Sequence, residues 1–121
     1  WTTADSDGSS RTSAWADGGS NDICPAGFSV PTEAELTADT ISATTTDITN
    51  SATAFSSFLK IPVAGYHSPV GGGLEVVGSF AFLWSRSANG SNSGFLDVNS
   101  SQGQFSNNSR ANALSVRCIK D

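Results

Sequence analysis

The sequence predicts a single α+β domain, loop-rich, with two short helices followed by antiparallel strands. Three observations predict it. Apolar residues recur at helical spacing between residues 32 and 60, then at a period of two from Ile61 to the end. Helices first and strands afterwards is the order of an α+β chain rather than of alternating βαβ units. A length of 121 residues supports one core and leaves no room for a second.

Residues 1–22 are turn-rich and weakly patterned, with Trp1 and Trp15 as their only anchors, and are expected to be loop. The Asp5-x-Asp7-Gly8 run has the start of a calcium loop but not its remaining ligands or closing Glu, so a solvated turn is expected. In CPAGFSVPTEAELTAD, Thr32 and Glu35 fit a capping box and Leu36 starts a buried stripe, which predicts a helix over 32–39. ISATTTDITN is β-branched and polar without a stripe and is expected to be loop. After Asn50, the residues Ala54, Phe55, Phe58 and Leu59 predict a second helix ending near Lys60.

Beyond it, IPVAGY and LEVV read as strands separated by a loop that three glycines impose. FAFLW places Phe80, Phe82 and Trp84 on one face. In GFLDVN, Leu96 and Val98 share one side and Phe95, Asp97 and Asn99 the other. ALSVRCIK closes the chain with Leu114, Val116 and Cys118 aligned.

Only 14% of residues are charged, against roughly 25% in an average soluble domain. Ser, Thr, Asn and Gly supply 52 residues instead, and the net charge is −5. Nucleic acid is therefore excluded as a partner, since phosphate recognition needs clustered Lys and Arg and the 6 basic residues are scattered. No apolar run approaches the ~20 residues of a membrane span, so no membrane insertion is expected. The start at Trp1, without Met or a signal-like segment, suggests a processed form or a piece of something longer.

Cys24 and Cys118 come without a CxxC or enough His to complete a zinc site. A disulfide and two free buried thiols both remain, and the Ser-rich, Lys-poor composition favours the disulfide of an oxidising exterior. Such a bridge would tie the start of the core to its last strand.

Enzyme readings find little support. Nucleophilic catalysis would need His67, the single histidine, as its base, and no G-x-S-x-G elbow is present. The GGG run lacks the Lys and helix of a phosphate loop. Carboxylates are not paired for acid–base work. Eleven acidic residues leave room for calcium, though no ligand cluster supports it.

The stretch 84–112, WSRSANGSNSGFLDVNSSQGQFSNNSRAN, has 6 Asn, 8 Ser and 3 Gly among its 29 residues. It can be a floppy polar insertion. Its alternating strand and apolar flanks argue instead for a segment held at both ends. Ser, Gly and Asn with an occasional aromatic is also the composition of a paratope. With Leu96 and Val98 facing the core, Phe95 is expected outward as a ligand anchor beside Asp97 and Asn99.

Four segments in order, CPAGFSVPTEAEL, IPVAGYHSPVGGGLEVVGS, FLWSRS and SRANALSVRCIKD, span about residues 22–121. Together they resemble the fibrobacter-type major paralogous domain and the variable proteins of diversity-generating retroelements. The resemblance implies the C-type lectin fold in its formylglycine-generating-enzyme-like branch. Leu83, Arg86, Ala113 and Leu114 depart from the family pattern by size changes near the core. The calcium-lectin signatures E-P-N, Q-P-D and W-N-D are absent, and Cys24 and Cys118 fall on structural positions, not on the catalytic pair of the formylglycine-generating enzymes. Neither calcium-dependent sugar binding nor that enzyme activity carries over.

What does carry over is a non-enzymatic display domain. In the family, mutagenesis at template adenines rewrites codons between the W-S-S motif and the S-V-R-C strand, and Asn codons so changed yield Ser, Asp and Gly. Position by position, the implied ligand-binding set is Arg86, Asn89, Asn92, Phe95, Asp97, Asn99, Gln102, Gln104, Asn107, Asn108 and Asn112. The resemblance implies an extracellular domain on a phage tail fibre or bacterial surface adhesin, part of a larger assembly, with oligomerisation left open, that binds a host or cell-surface protein or glycan receptor. Two other functions compete with it: a structural surface domain with weak or no carbohydrate binding, and a secreted hydrolase built on His67.

Overall fold

The capping box predicted at Thr32 forms and fixes where the first predicted helix begins. In the computed structural model, which describes residues 7–41 and 48–121, the Thr32 hydroxyl accepts from the Glu35 N–H at 3.2 Å. The Glu35 carboxylate in turn accepts from the Thr32 N–H at 2.7 Å. The helix they cap, α2, spans Glu33–Thr40 and buries Leu36. Trp1, Asp5 and most of the ISATTTDITN tract lie outside the described residues.

The second predicted helix, α3, spans Ser51–Ser56, with Asn50 and Thr53 forming its own capping box. It stops four residues before Lys60. Ser57 is extended, and the Ile61 N–H turns back to the Ala54 carbonyl at 3.2 Å. The early stop corrects the predicted stripe. Ala54 and Leu59 are buried, but Phe55, inside the helix and one position off the face that Ala54 buries, is 62% exposed, and Phe58, beyond the helix end, is 70% exposed.

A third helix, α1 (Ser9–Ala14), occupies part of the predicted N-terminal loop. SSRTSA has no apolar stripe and buries no residue. It is fastened by the Thr12 hydroxyl, which donates to the Arg86 carbonyl at 3.0 Å, and by Arg11, which donates to the Asn92 carbonyl at 3.2 Å.

The strands are antiparallel, in three small sheets. β1 (Phe28–Ser29) pairs with β7 (Ile119–Lys120), beside a Cys24–Cys118 disulfide, so the cross-link joins the start of the core to the last strand. β2 (Tyr66–His67) pairs with β3 (Leu74–Glu75) across the glycine loop. The predicted IPVAGY strand is irregular from Ile61 to Gly65, where the Ala64 N–H is satisfied locally by the Pro62 carbonyl at 2.9 Å. Gly65, at φ 68°, brings its backbone against the Glu75 carbonyl, where a Cβ would collide.

The third sheet positions the candidate site. β4 (Ala81–Asn89), β5 (Asn92–Val98) and β6 (Gly103–Ser109) form a meander in that order. Its core face carries Ala81, Leu83, Leu96 and Val98 against Leu36, Ile48, Ala54, Leu59 and Ile61. The closing segment keeps the predicted parity as far as Cys118, with Leu114, Val116 and Cys118 half-buried and Ala113, Ser115 and Arg117 exposed. It runs beside β4, the Trp84 N–H donating to the Ser115 carbonyl at 3.0 Å.

Candidate functional site

The 84–112 stretch is β-sheet for most of its length. β5 and β6 pair over seven consecutive positions, from Asn92↔Ser109 to Val98↔Gly103, without a register shift. β4 and β5 are joined by the two residues Gly90 and Ser91, with Gly90 at φ 54° making the tight hairpin turn. The one irregularity, between Trp84 and Ala88, is where α1 and α2 attach: the Arg86 N–H donates to the Pro31 carbonyl at 2.8 Å, and the Glu33 N–H to the Ser87 hydroxyl at 2.9 Å.

Residues opposite one another in the register share a face, so the ladder sorts the predicted set. Phe95 lies opposite Trp84, and Asp97 opposite Phe82 and Gln104. The alternation is therefore as predicted, but the face is not open. Phe95 is 6% exposed, packed edge-on against Trp84 and Phe82 with both centroid separations 5.8 Å. Tyr66 and Phe80 extend this aromatic cover over Phe82. Phe95 is a core residue and not an outward ligand anchor, because a second apolar layer lies where solvent was expected.

Asp97 and Asn99 are half-buried. One Asp97 oxygen accepts from the Gln104 amide at 3.3 Å, and Oδ1 is buried with no hydrogen-bond partner among the described residues. Asn99 Oδ1 accepts from the Ser101 and Gln102 N–H groups at 2.8 and 3.1 Å, which folds the loop between β5 and β6. Arg86 is half-buried, its guanidinium 3.9 Å from the Glu35 carboxylate. Asn112 Nδ2 donates to the Ser109 carbonyl at 3.2 Å and closes the turn after β6. Asn89, Gln102, Gln104, Asn107 and Asn108 are exposed, and Asn92 is half-buried opposite Asn89.

The eleven positions do not converge on one pocket. Asn89, Asn92 and Asn107 lie toward the hairpin end on the core-face side, Gln104 and Asn108 on the other face, and Asn99 and Gln102 at the far end of β5. An open cleft of about 480 Å³ at that far end brings Asn99 and Gln102 together with Ser51, Ser79 and Phe80. The last three were not among the predicted site residues. Phe80 was legible only as a face-mate of Phe82 and Trp84.

The charged groups are few. The Glu35 carboxyl is held below its ordinary range chiefly by the Thr32 N–H, then by the Thr32 hydroxyl, with Arg86 adding to the pull. The Asp7 carboxyl is lowered in the same way by the Ser9 N–H and hydroxyl. The His67 ring is exposed and makes no hydrogen bond to a serine or carboxylate among the described residues. No group of three or more His, Cys, Asp or Glu side chains among the described residues could hold a metal ion. No helix among them is long and apolar enough to cross a membrane. No known protein family, characterised protein or solved structure matches the chain.

Proposed function

We propose that this chain is a non-enzymatic, extracellular ligand-binding domain of the C-type lectin fold. It displays the surface at 85–112 to a protein or glycan receptor, as part of a phage tail fibre or bacterial surface adhesin. The observation that carries the reading is the unbroken β5–β6 ladder beneath an amide-rich surface. A segment whose composition suits adaptable hydrogen bonding is paired residue by residue, and side chains on a fixed frame lose less entropy on binding. The disulfide suits an oxidising exterior. The burial of Phe95 narrows the display to the exposed Asn89, Asn107 and Asn108 at the hairpin end, with Asn92 opposite Asn89.

The test is a triple substitution, Asn89→Ala with Asn107→Ala and Asn108→Ala, in fluorescently labelled protein applied to a panel of bacterial cells. Binding to any cell that the unsubstituted chain decorates should fall at least tenfold, with the melting temperature unchanged. Undiminished decoration by the triple variant refutes the assignment of this surface. Sequencing the locus tests the family reading separately: a reverse-transcriptase gene beside a near-identical copy of codons 84–112 is the expected finding.

A further inference from the structure

We infer that the cleft at the far end of β5 is a second, separate site, one that takes a neutral sugar. Both of its walls are fastened. On one side, the Ser51 N–H donates to the Asn99 carbonyl at 2.7 Å, the Asn99 N–H to the Gln102 carbonyl at 2.9 Å, and Asn99 Oδ1 holds the loop as described above. On the other, the Val76 carbonyl accepts from both the Ser79 and Phe80 N–H groups at 3.1 Å, and the Phe80 carbonyl accepts from Gly65 at 2.8 Å.

The chemistry of the lining selects the ligand class. Every lining side chain is neutral: hydroxyls from Ser51, Ser79, Ser100 and Ser101, amides from Asn99 and Gln102, and one ring from Phe80. Asn99 spends its oxygen on the loop, and its amide NH2 has no partner among the described residues. The half-buried Phe80 ring is stacked on Phe82 at 5.7 Å and 7° between planes, which fixes its orientation and leaves the rest of the ring to the cleft. A fixed aromatic surface beside uncharged donors and acceptors matches a sugar, with an apolar C–H face and a rim of hydroxyls. An anionic ligand finds no cation there, and the net charge of −5 opposes it. The volume is within the roughly 300–1,000 Å³ of small-ligand sites, and the open mouth suits the end or middle of a chain of sugars.

This site lies about 20 Å along β5 from Asn89 and Asn92, so it stands apart from the display surface proposed above. The experiment is a titration of the isotope-labelled full chain, followed by amide chemical shifts. The probes are the methyl glycosides of glucose, galactose, mannose and N-acetylglucosamine, with N-acetylneuraminic acid and inorganic phosphate as charged comparators. At least one neutral glycoside should shift the Ser79, Phe80, Ser101 and Gln102 amides with a roughly millimolar Kd. Phe80→Leu, which keeps apolar bulk and removes the ring face, should weaken it about tenfold. Gln102→Ala, at an exposed residue, should weaken it several-fold without touching the fold. The triple variant of the display surface should bind the sugar as before. Shifts confined to other residues, no shift with any neutral glycoside, or a preference for the charged probes would each overturn the assignment, and none of these bears on the display surface.

Discussion

Replacing Cys24 and Cys118 by serine removes a link between positions 94 residues apart. Closing a loop of about 95 residues in the unfolded chain is worth about 4.7 kcal/mol near 25 °C in the chain-entropy account. The structure offers little to replace it. β1 and β7 are two residues each, and their neighbourhood adds the Ser29 hydroxyl to Asp121 at 2.6 Å and the Asp121 N–H to the Gly27 carbonyl at 3.1 Å. A domain of this size has about 5–15 kcal/mol of stability, so the loss is a third or more of it. With about 2.1 cal/mol/K of unfolding entropy per residue, each kcal/mol moves the melting temperature about 4 °C, giving a fall of about 15–20 °C. Calorimetry of the oxidised chain, the reduced chain and the double serine variant measures it, and urea unfolding supplies the m-value. The reduced chain and the serine variant should agree within about 1 kcal/mol, with a larger m than the oxidised chain because the unfolded ensemble expands. A fall of less than about 5 °C with an unchanged m would refute the reasoning and place the rigidity of the scaffold elsewhere.

Leu96→Ala, at a fully buried residue on the core face of β5, should cost about 3–5 kcal/mol in urea unfolding. Phe95→Ala should cost about as much, because the ring is enclosed by Trp84 and Phe82; a loss under about 1 kcal/mol would return it to the surface. Thr32→Ala should cost about 1 kcal/mol through the lost cap of α2, read from the same unfolding curves. The Glu35 carboxyl is depressed in the folded chain, so its contribution is complete above the ordinary value of 4.5 and disappears as pH falls through the folded value. Glu35→Gln should therefore unfold with a shallower pH dependence in that acidic range, and an unchanged acid profile would count against the capping box as its cause.

The parts of the fold that were legible depend on local chemistry. Thr32 and Glu35 are three residues apart and satisfy each other's backbone, so the start of α2 could be read without knowing what packs on it. The Leu96/Val98 alternation was equally local. What it could not convey is how many faces of the sheet are covered. Period-two alternation assigns Phe95 to the face opposite Leu96, and solvent was the default for that face. Its aromatic cover comes from Phe80 and Phe82, thirteen or more residues earlier, and from Tyr66 on another hairpin. The FAFLW pattern already contained two of those rings. Only the Trp84↔Phe95 register puts them beside Phe95. α1 was illegible for the opposite reason: SSRTSA buries nothing, and the groups that hold it in place are carbonyls of Arg86 and Asn92 more than seventy residues away.

The hairpin end of the meander is held differently from the rest of the sheet. Toward Val98, the core face is apolar and packed. Toward Asn92, the same face turns to Gly94, Asn107 and Asn89, and burial of carbon no longer fixes the strands. There the Ser85 hydroxyl donates to the Gly94 carbonyl at 2.9 Å, Arg11 to Asn92, Thr12 to Arg86 and the Glu33 N–H to Ser87. Each of these bonds ends on backbone or on a serine of the sheet's inner positions, and none uses the exposed amides of Asn89, Asn107 or Asn108. Side chains at Asn89 and Asn107 can therefore change without removing a contact that fixes the frame, and a change at Asn108 removes only the local bond from the Ser109 N–H to its Oδ1 at 2.7 Å. The display surface proposed above would require that separation between what is held and what is free to vary, and the bonds from the N-terminal helices are what would supply the holding half.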